Sequence, residues 1–244
     1  MTDRVHPFIA ILKSYATKEN FELSDCKLCQ KRAQFPYRLG DMISIDESRA
    51  ADLARTVSEF PDSIVAEYAN RTSKSCDYEV LADIVRKRGQ GLELDTNICV
   101  VNLRVGDVID AVVDTGHEPE DISRKRLSSN GKRWGNYTPP FDDIIEGLRK
   151  ISAPESVTII AGTHSECNQQ NSCRYIQSIE RMLRDNGYKV SLRLGNDADV
   201  DYVLMCLASG FVSSGGTYSR SILRIRGILG TGKSYDTRDQ KILE

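Results

Sequence analysis

Two segments of the 244-residue chain combine residue types suited to handling anions. Asn102-Leu103-Arg104-Val105-Gly106-Asp107 leaves an apolar run and offers in quick succession an amide, a cation, a glycine and a carboxylate. The planar guanidinium fork of Arg104 fits two-point contact with a phosphate or carboxylate. Gly106 permits a sharp turn or a positive φ, and Asp107 could orient the arginine, bind a hydroxyl or act as a base. A plain strand-to-loop turn with a local Arg–Asp pair accounts for the same letters. The second segment, Ser213-Ser214-Gly215-Gly216-Thr217-Tyr218-Ser219, is built from glycines and hydroxyl residues alone. Such a turn brings backbone N–H groups and hydroxyls to a helix N-terminus, where negative charge is stabilised. Thr217 or Ser219 would serve equally as a helix cap.

The surrounding pattern decides where these segments sit. Ile98-Cys99-Val100-Val101-Asn102-Leu103 is a short, continuous, β-branched run, the mark of a strand buried on both faces. Val157 to Ala161, residues 188–194 and Gly210 to Ser213 predict three more strands, and helical spacing falls between them at 141–150, 172–186, 199–207 and 217–226. Strands alternating with helices imply βαβ units, a parallel sheet and helices on both its faces. Ligands then bind beyond the carboxyl ends of the strands, which is where both segments fall. Upstream, helical periodicity at 48–60, 63–70 and 78–89, the last ending at Gly89, predicts a mostly helical region over 1–95. Residues 114–140, polar and rich in Gly, Pro and Ser, predict a long surface excursion. The expected layout is therefore a helical region over 1–95, an α/β domain over 96–228 and a flexible tail over 229–244.

Composition narrows the classes. The net charge of -2 provides no global field for nucleic acid or anionic membrane, so no nucleic-acid partner is expected. Hydrophobic residues at 40% and charged residues at 28% suit a folded chain with a real core. The first residues lack the apolar core of a signal peptide, and no apolar run approaches the roughly 20 residues of a membrane span. The cytoplasm, or the host cytoplasm for a viral protein, is the expected compartment. The seven cysteines, an odd number, point to free thiols. Cys26-Lys-Leu-Cys29 has the spacing of half a zinc site, but a structural zinc needs four ligands and no second close pair accompanies it.

The two segments, read together, resemble the donor-binding half of fucosyltransferase-type glycosyltransferases. That family's pattern is a strand ending His-x-Arg-Arg-Gly-Asp, then far downstream Asp-x-x-Leu-Met-x-x-Cys-x-x-Phe-(Ile/Val)-x-Ser and a Ser/Thr-rich turn into a helix. The matching residues are Asn102 to Asp107, Asp201-Tyr202-Val203-Leu204-Met205-Cys206, Phe211-Val212-Ser213 and Thr217-Tyr218-Ser219. The likeness covers roughly 95–225. Asn102 and Val105 stand where the family has His and a second Arg, and Arg220 and Ser221 where it has aromatic residues. The resemblance implies a Rossmann-like sheet in a GT-B-like C-terminal half, with residues 1–95 as a reduced acceptor-side region. It implies a nucleotide-diphosphate sugar such as GDP-fucose as donor, a glycan or other hydroxyl as acceptor, and no metal or other cofactor. Arg104 would hold the diphosphate, and Asp107 is the candidate base. Asn102, Gly106, Asp201, Ser213, Ser214, Gly215, Gly216, Thr217 and Ser219 would line the donor site. A non-catalytic nucleotide-sugar or glycan-binding module built on the same fold is the alternative.

Other motifs carry less. Gly227-Ile228-Leu229-Gly230-Thr231-Gly232-Lys233-Ser234 spells a P-loop, but the segment before it reads as helix and only a short polar tail follows, so the context that gives the letters their chemistry is missing. His164, just past the second strand, is a candidate ligand contact, although a solvated loop histidine is commoner. Arg38-Leu39-Gly40-Asp41 echoes the Arg104 segment and reads equally well as a turn. A basic loop from Lys125 to Lys132, with Trp134 and Tyr137 close behind, could cover a ligand or simply face solvent.

Overall fold

The computed structural model describes residues 50–74, 76–90, 98–114, 116–124, 137–151, 154–163 and 169–243. In chain order the elements are α1 (Ala50–Glu59), α2 (Ile64–Arg71), α3 (Tyr78–Arg88), β1 (Ile98–Arg104), α4 (Asp107–Val113), α5 (Pro119–Ile122), α6 (Phe141–Ile151), β2 (Ser156–Gly162), α7 (Gln169–Asp185), β3 (Lys189–Leu194), α8 (Ala198–Leu207), β4 (Gly210–Ser213), α9 (Gly216–Leu229), β5 (Lys233–Asp236) and β6 (Lys241–Leu243). No described helix is long and apolar enough to cross a membrane.

The strands form one sheet in the order β3-β2-β1-β4-β5-β6, with only β6 antiparallel to its neighbour. This is the Rossmann-like order. Alternation along β1 explains its two faces. Cys99, Val101 and Leu103 enter one core with α4, α6 and α7, while Val100 enters the other with α2, α3, α8 and α9. A strand sandwiched in this way must be apolar on both sides, which is why it appears in the sequence as an unbroken run. α2 and α3 thus share a core with the sheet. The direction in which strands are added then reverses about β1. From β1 the chain steps outward to β2 and β3, and α8 carries it back to β4 on the opposite side of β1. The turns after β1 and β4 leave in opposite directions, and a crevice opens between them at the carboxyl edge.

Local chemistry sets the helix starts. Ser63 caps α2 by accepting from Ala66 N, Asp77 caps α3 through Val80 N, and Asp197 caps α8 through the amides of Asp199 and Val200. Gly89 ends α3 as expected, but in the right-handed region at φ -77. A Cβ there would lie 2.1 Å from Leu207 Cδ1, so close packing against α8, and not a left-handed cap, calls for glycine.

Three expectations need correction. The described part of the expected tail, residues 229–243, is structured: α9 ends on the left-handed Gly230, and β5 and β6 extend the sheet. The P-loop letters therefore run from helix through turn to strand, the reverse of the order that cradles phosphate. The described parts of 114–140 are also not a surface excursion, since Ile122 and Thr138 are buried and Tyr175 Oη donates to Pro139 O at 3.0 Å. Among the described cysteines, Cys173 is disulfide-bonded, whereas Cys76, Cys99 and Cys206 form no disulfide. An odd total guarantees one unpaired thiol and does not forbid a bridge.

Arg226 locks the amino-terminal edge of the sheet. It is 2% exposed. Its Nε donates to Ser234 Oγ at 2.8 Å, Nη1 to the carbonyls of Met205 at 2.9 Å and Ala208 at 2.7 Å, and Nη2 to Thr231 O and Lys233 O. The end of α8, the turn after α9 and the start of β5 are thereby fastened to one cation. Burial pulls its pKa down to about 10, still well inside the charged range at neutral pH. Arg226→Met leaves several buried acceptors without a donor, each costing about 1–3 kcal/mol when unrelieved. The expected loss is about 3–5 kcal/mol, read as a lower urea midpoint at unchanged slope, with Arg226→Lys recovering only part of it.

Candidate functional site

Both segments picked out in the sequence meet at the crevice between β1 and β4. Asn102, on the α9 side of β1, ties them together. Its Oδ1 accepts from Ser214 Oγ at 3.3 Å and from Ser219 Oγ at 3.0 Å, and its Nδ2 faces Ile160 O at 3.5 Å. Ser214 Oγ in turn accepts the Arg104 N–H at 3.1 Å. Asn102, Ser213, Ser214 and Ser219 are all buried, so these polar groups bind one another and hold the turn. Ser213 Oγ accepts the Gly215 N–H at 2.9 Å, and its carbonyl accepts from Thr237 Oγ1 at 2.6 Å. Thr217 is exposed on the first turn of α9.

Two glycines start the helices that flank the crevice. Gly106, at φ 83, precedes α4, and its N–H donates to Ser172 Oγ at 2.9 Å. Gly215, at φ 84, precedes α9, and Gly216 at φ 87 opens it. These values lie in the left-handed half of backbone space that glycine enters without penalty. A helix leaves its first N–H groups without intrahelical partners, so α9 presents the positive end of its dipole to the crevice.

Arg104 lies between the two helix starts, its side chain 31% exposed. Nη2 stands 3.9 Å from Asp107 Oδ2, beyond hydrogen-bond length, and Nη1 is 3.2 Å from the point a Gly216 Cβ would occupy. The Tyr137 ring covers the guanidinium with its centroid 4.6 Å from Cζ. No side-chain hydrogen bond from Arg104 to a described residue accompanies these contacts. Asp107, at the first position of α4, keeps Oδ1 buried without a hydrogen-bond partner among the described residues. Tyr137 came out of the sequence only as a neighbour of the basic loop. Its contact with a residue 33 positions earlier had no local signal.

Asp201 takes a different place from the others. It is fully buried in the first turn of α8, where Arg193 Nε donates to its Oδ1. Arg193 stands opposite Ile160, and Ile160 opposite Asn102, so the pair occupies the same cross-strand row two strands away from Asn102. Burial pushes the Asp201 carboxyl up to about 6, with Arg193 pulling the other way. Val105, where the resemblance has a second arginine, is buried in the core with α4, α6 and α7. Asp236, which ends β5 opposite Ser213, and Thr237 just after it were assigned to a tail by the sequence and are buried. His164, Cys26, Cys29, Arg38 to Asp41, Lys125 to Lys132 and Trp134 lie outside the described residues.

No protein-family model matches the chain, and no curated protein matches it. Among solved structures, POFUT1 in complex with GDP matches 67% of this chain and 46% of its own, at 16% identity and a TM-score of 0.36. POFUT1 in complex with GDP-fucose matches 59% of this chain and 42% of its own, at 17% identity and a TM-score of 0.36. Its apo form matches 78% and 60%, at 14% identity and a TM-score of 0.38. The chain thus spans about half the length of the POFUT1 structures it matches.

This geometry has two measurable consequences. An unfolded Asp titrates near about 3.9, so between there and about 6 the folded chain holds a proton on Asp201 that the unfolded chain has lost. The contribution of Asp201 to stability is largest below that window, falls as pH rises through it and levels off above. Unfolding free energies of the unaltered chain minus those of Asp201→Asn should decline from pH 4 to pH 6. Gly216→Ala places a side chain at φ 87 and within 3.2 Å of Arg104 Nη1. A left-handed Cβ costs about 1–2 kcal/mol, and a drop of a few degrees in melting temperature is the expected reading.

Proposed function

We propose that the chain is a glycosyltransferase-like enzyme that binds a nucleotide-diphosphate sugar at the crevice between β1 and β4. The observation that carries this reading is the Arg104 guanidinium, without a side-chain hydrogen bond to any described residue, set between two glycine-led helix starts at the reversal point of the sheet. Arg226 and Arg193, by comparison, place donors on carbonyls or on a carboxylate. A guanidinium left in this state suits an incoming diphosphate, and Arg104 is also the residue that the fucosyltransferase-type motif places on the pyrophosphate. A GDP-fucose-like donor, a GT-B-like arrangement and a glycan or other hydroxyl acceptor belong to the same proposal.

In the reaction this implies, the bond between the anomeric carbon and the diphosphate oxygen breaks as an acceptor hydroxyl oxygen bonds to that carbon from the opposite side. The electron pair of the broken bond stays with the diphosphate. Arg104 and the first-turn amides of α9, from Gly216 onward, stabilise the charge gathering there. The Gly215 amide is already bonded to Ser213 and takes no part. Asp107 takes the proton of the acceptor hydroxyl. Its distance of 3.9 Å from Arg104 leaves that carboxylate outside a close ion pair. Asn102, Ser214 and Ser219 act indirectly, by fixing the turn.

A second reading, a non-catalytic nucleotide-sugar or glycan-binding module, is favoured by one observation: Val105 is packed into the core and adds no second cation.

The test is a thermal-shift screen of GDP, UDP and their sugars. A ligand at about 100 times its Kd adds about 2.7 kcal/mol, on the order of 5–10 °C for a chain of this size. Arg104→Ala should abolish the shift. No shift with any nucleotide or nucleotide sugar would overturn the reading, and binding without transfer or donor hydrolysis would favour the binding module.

A further inference from the structure

Tyr137 closes over Arg104 next to Gly216. Its Cε1 and Cδ1 stand 3.6 and 3.7 Å from the point where a Gly216 Cβ would sit, and Arg104 Nη1 is 3.2 Å from that same point. Ring, guanidinium and glycine backbone therefore meet at one place. The other end of the fork, Nη2, turns toward Asp107 at 3.9 Å. The backbone just beyond Tyr137 is anchored in turn. Thr138 is buried, Pro139 O accepts the Tyr175 phenol at 3.0 Å, and the Phe141 N–H donates to Ser123 O at 2.7 Å.

An arginine side chain on a surface explores many rotamers, and fixing it at the moment of binding costs entropy. A ring face under the cation attracts it through the ring quadrupole and removes that disorder beforehand. The ring makes this contact without taking an N–H donor, which a carboxylate in its place would do.

We propose that Tyr137 is a positioning residue for Arg104: its ring holds the guanidinium beside Gly216 before ligand arrives, so that an anion meets the N–H edge of a fork already in place. The inference rests on the anion site proposed above. It adds a residue that neither the motif nor the sequence spacing placed there.

The experiment uses the full chain with Tyr137→Ala, Tyr137→Phe and Arg104→Ala, and Tyr137→Ala combined with Arg104→Ala. The first readout needs no ligand. In the NMR spectrum the Arg104 Nε–H proton should show an upfield ring-current displacement that survives Tyr137→Phe and disappears in Tyr137→Ala. The second is calorimetric titration with GDP and with inorganic pyrophosphate. Tyr137→Ala should weaken both by about 3- to 30-fold, the range of a cation–π contact. Tyr137→Phe should stay close to the unaltered chain, and Tyr137→Ala should add nothing once Arg104 is gone. Absence of the ring-current displacement, unchanged affinity in Tyr137→Ala, or a Phe variant as weak as Ala would overturn the proposal. If the displacement behaves as expected but the unaltered chain binds neither probe, the contact stands and the anion site it was to serve is overturned.

Discussion

The carboxamide of Asn102 is the joint between the two halves of the sheet. β1 and β4 are neighbours in the sheet but far apart in sequence, and the chain leaves them in opposite directions. Pairing of their backbones stops at Val101 and Val212, just short of the crevice. Beyond that point side chains must hold the edge together, and Asn102 does so by accepting from Ser214 and Ser219 while Ser214 accepts the Arg104 amide. The group is buried and its members are bonded to one another, the condition under which buried polar atoms add order instead of cost. The orientation of α9, and with it the place of Gly216, depends on those bonds. An asparagine suits the position because one Oδ1 can accept two hydroxyl protons while Nδ2 remains a donor.

Three arginines in this fold meet three different fates, and the differences separate scaffold from site. Arg226 is buried and surrounded by carbonyls, including those closing α8, where the negative end of the helix dipole favours a cation. Arg193 is buried against Asp201, an arrangement whose desolvation cost is met only by close pairing. Arg104 alone of the three is partly exposed, with an aromatic ring over its face and a carboxylate at a distance. A cation so placed adds little to stability, since exposed charge pairs are worth little. What it offers is a fixed fork at an opening where two helix starts converge.

Much of the scaffold was legible in the sequence. Unbroken apolar runs marked β1 and β2 because both faces of a central parallel strand are buried, and helical spacing marked α6 and α7 because each buries one stripe, whereas α8 is buried nearly all round. The alternation alone also placed both segments at the carboxyl ends of β1 and β4, where the strand order reverses. β5 was not legible. Lys233-Ser234-Tyr235-Asp236 is too polar to read as a strand, and it is one only because Arg226 binds Ser234 and the core takes Tyr235. Gly89 was rightly taken as a helix end, yet the cause is a neighbour 118 residues away, Leu207.

The candidate site divides in the same way. Residue types and their order along the chain determined that an arginine, an aspartate and a glycine-hydroxyl turn would stand at strand ends, because turn chemistry and strand periodicity are local properties. Which of them face a ligand was decided by tertiary packing. Asn102, Ser214 and Ser219 were turned inward onto one another, Asp201 was paired with Arg193, Val105 went into the core, and Tyr137 was brought over Arg104. Those outcomes depend on contacts between residues distant in sequence, and local spacing carries no record of such contacts.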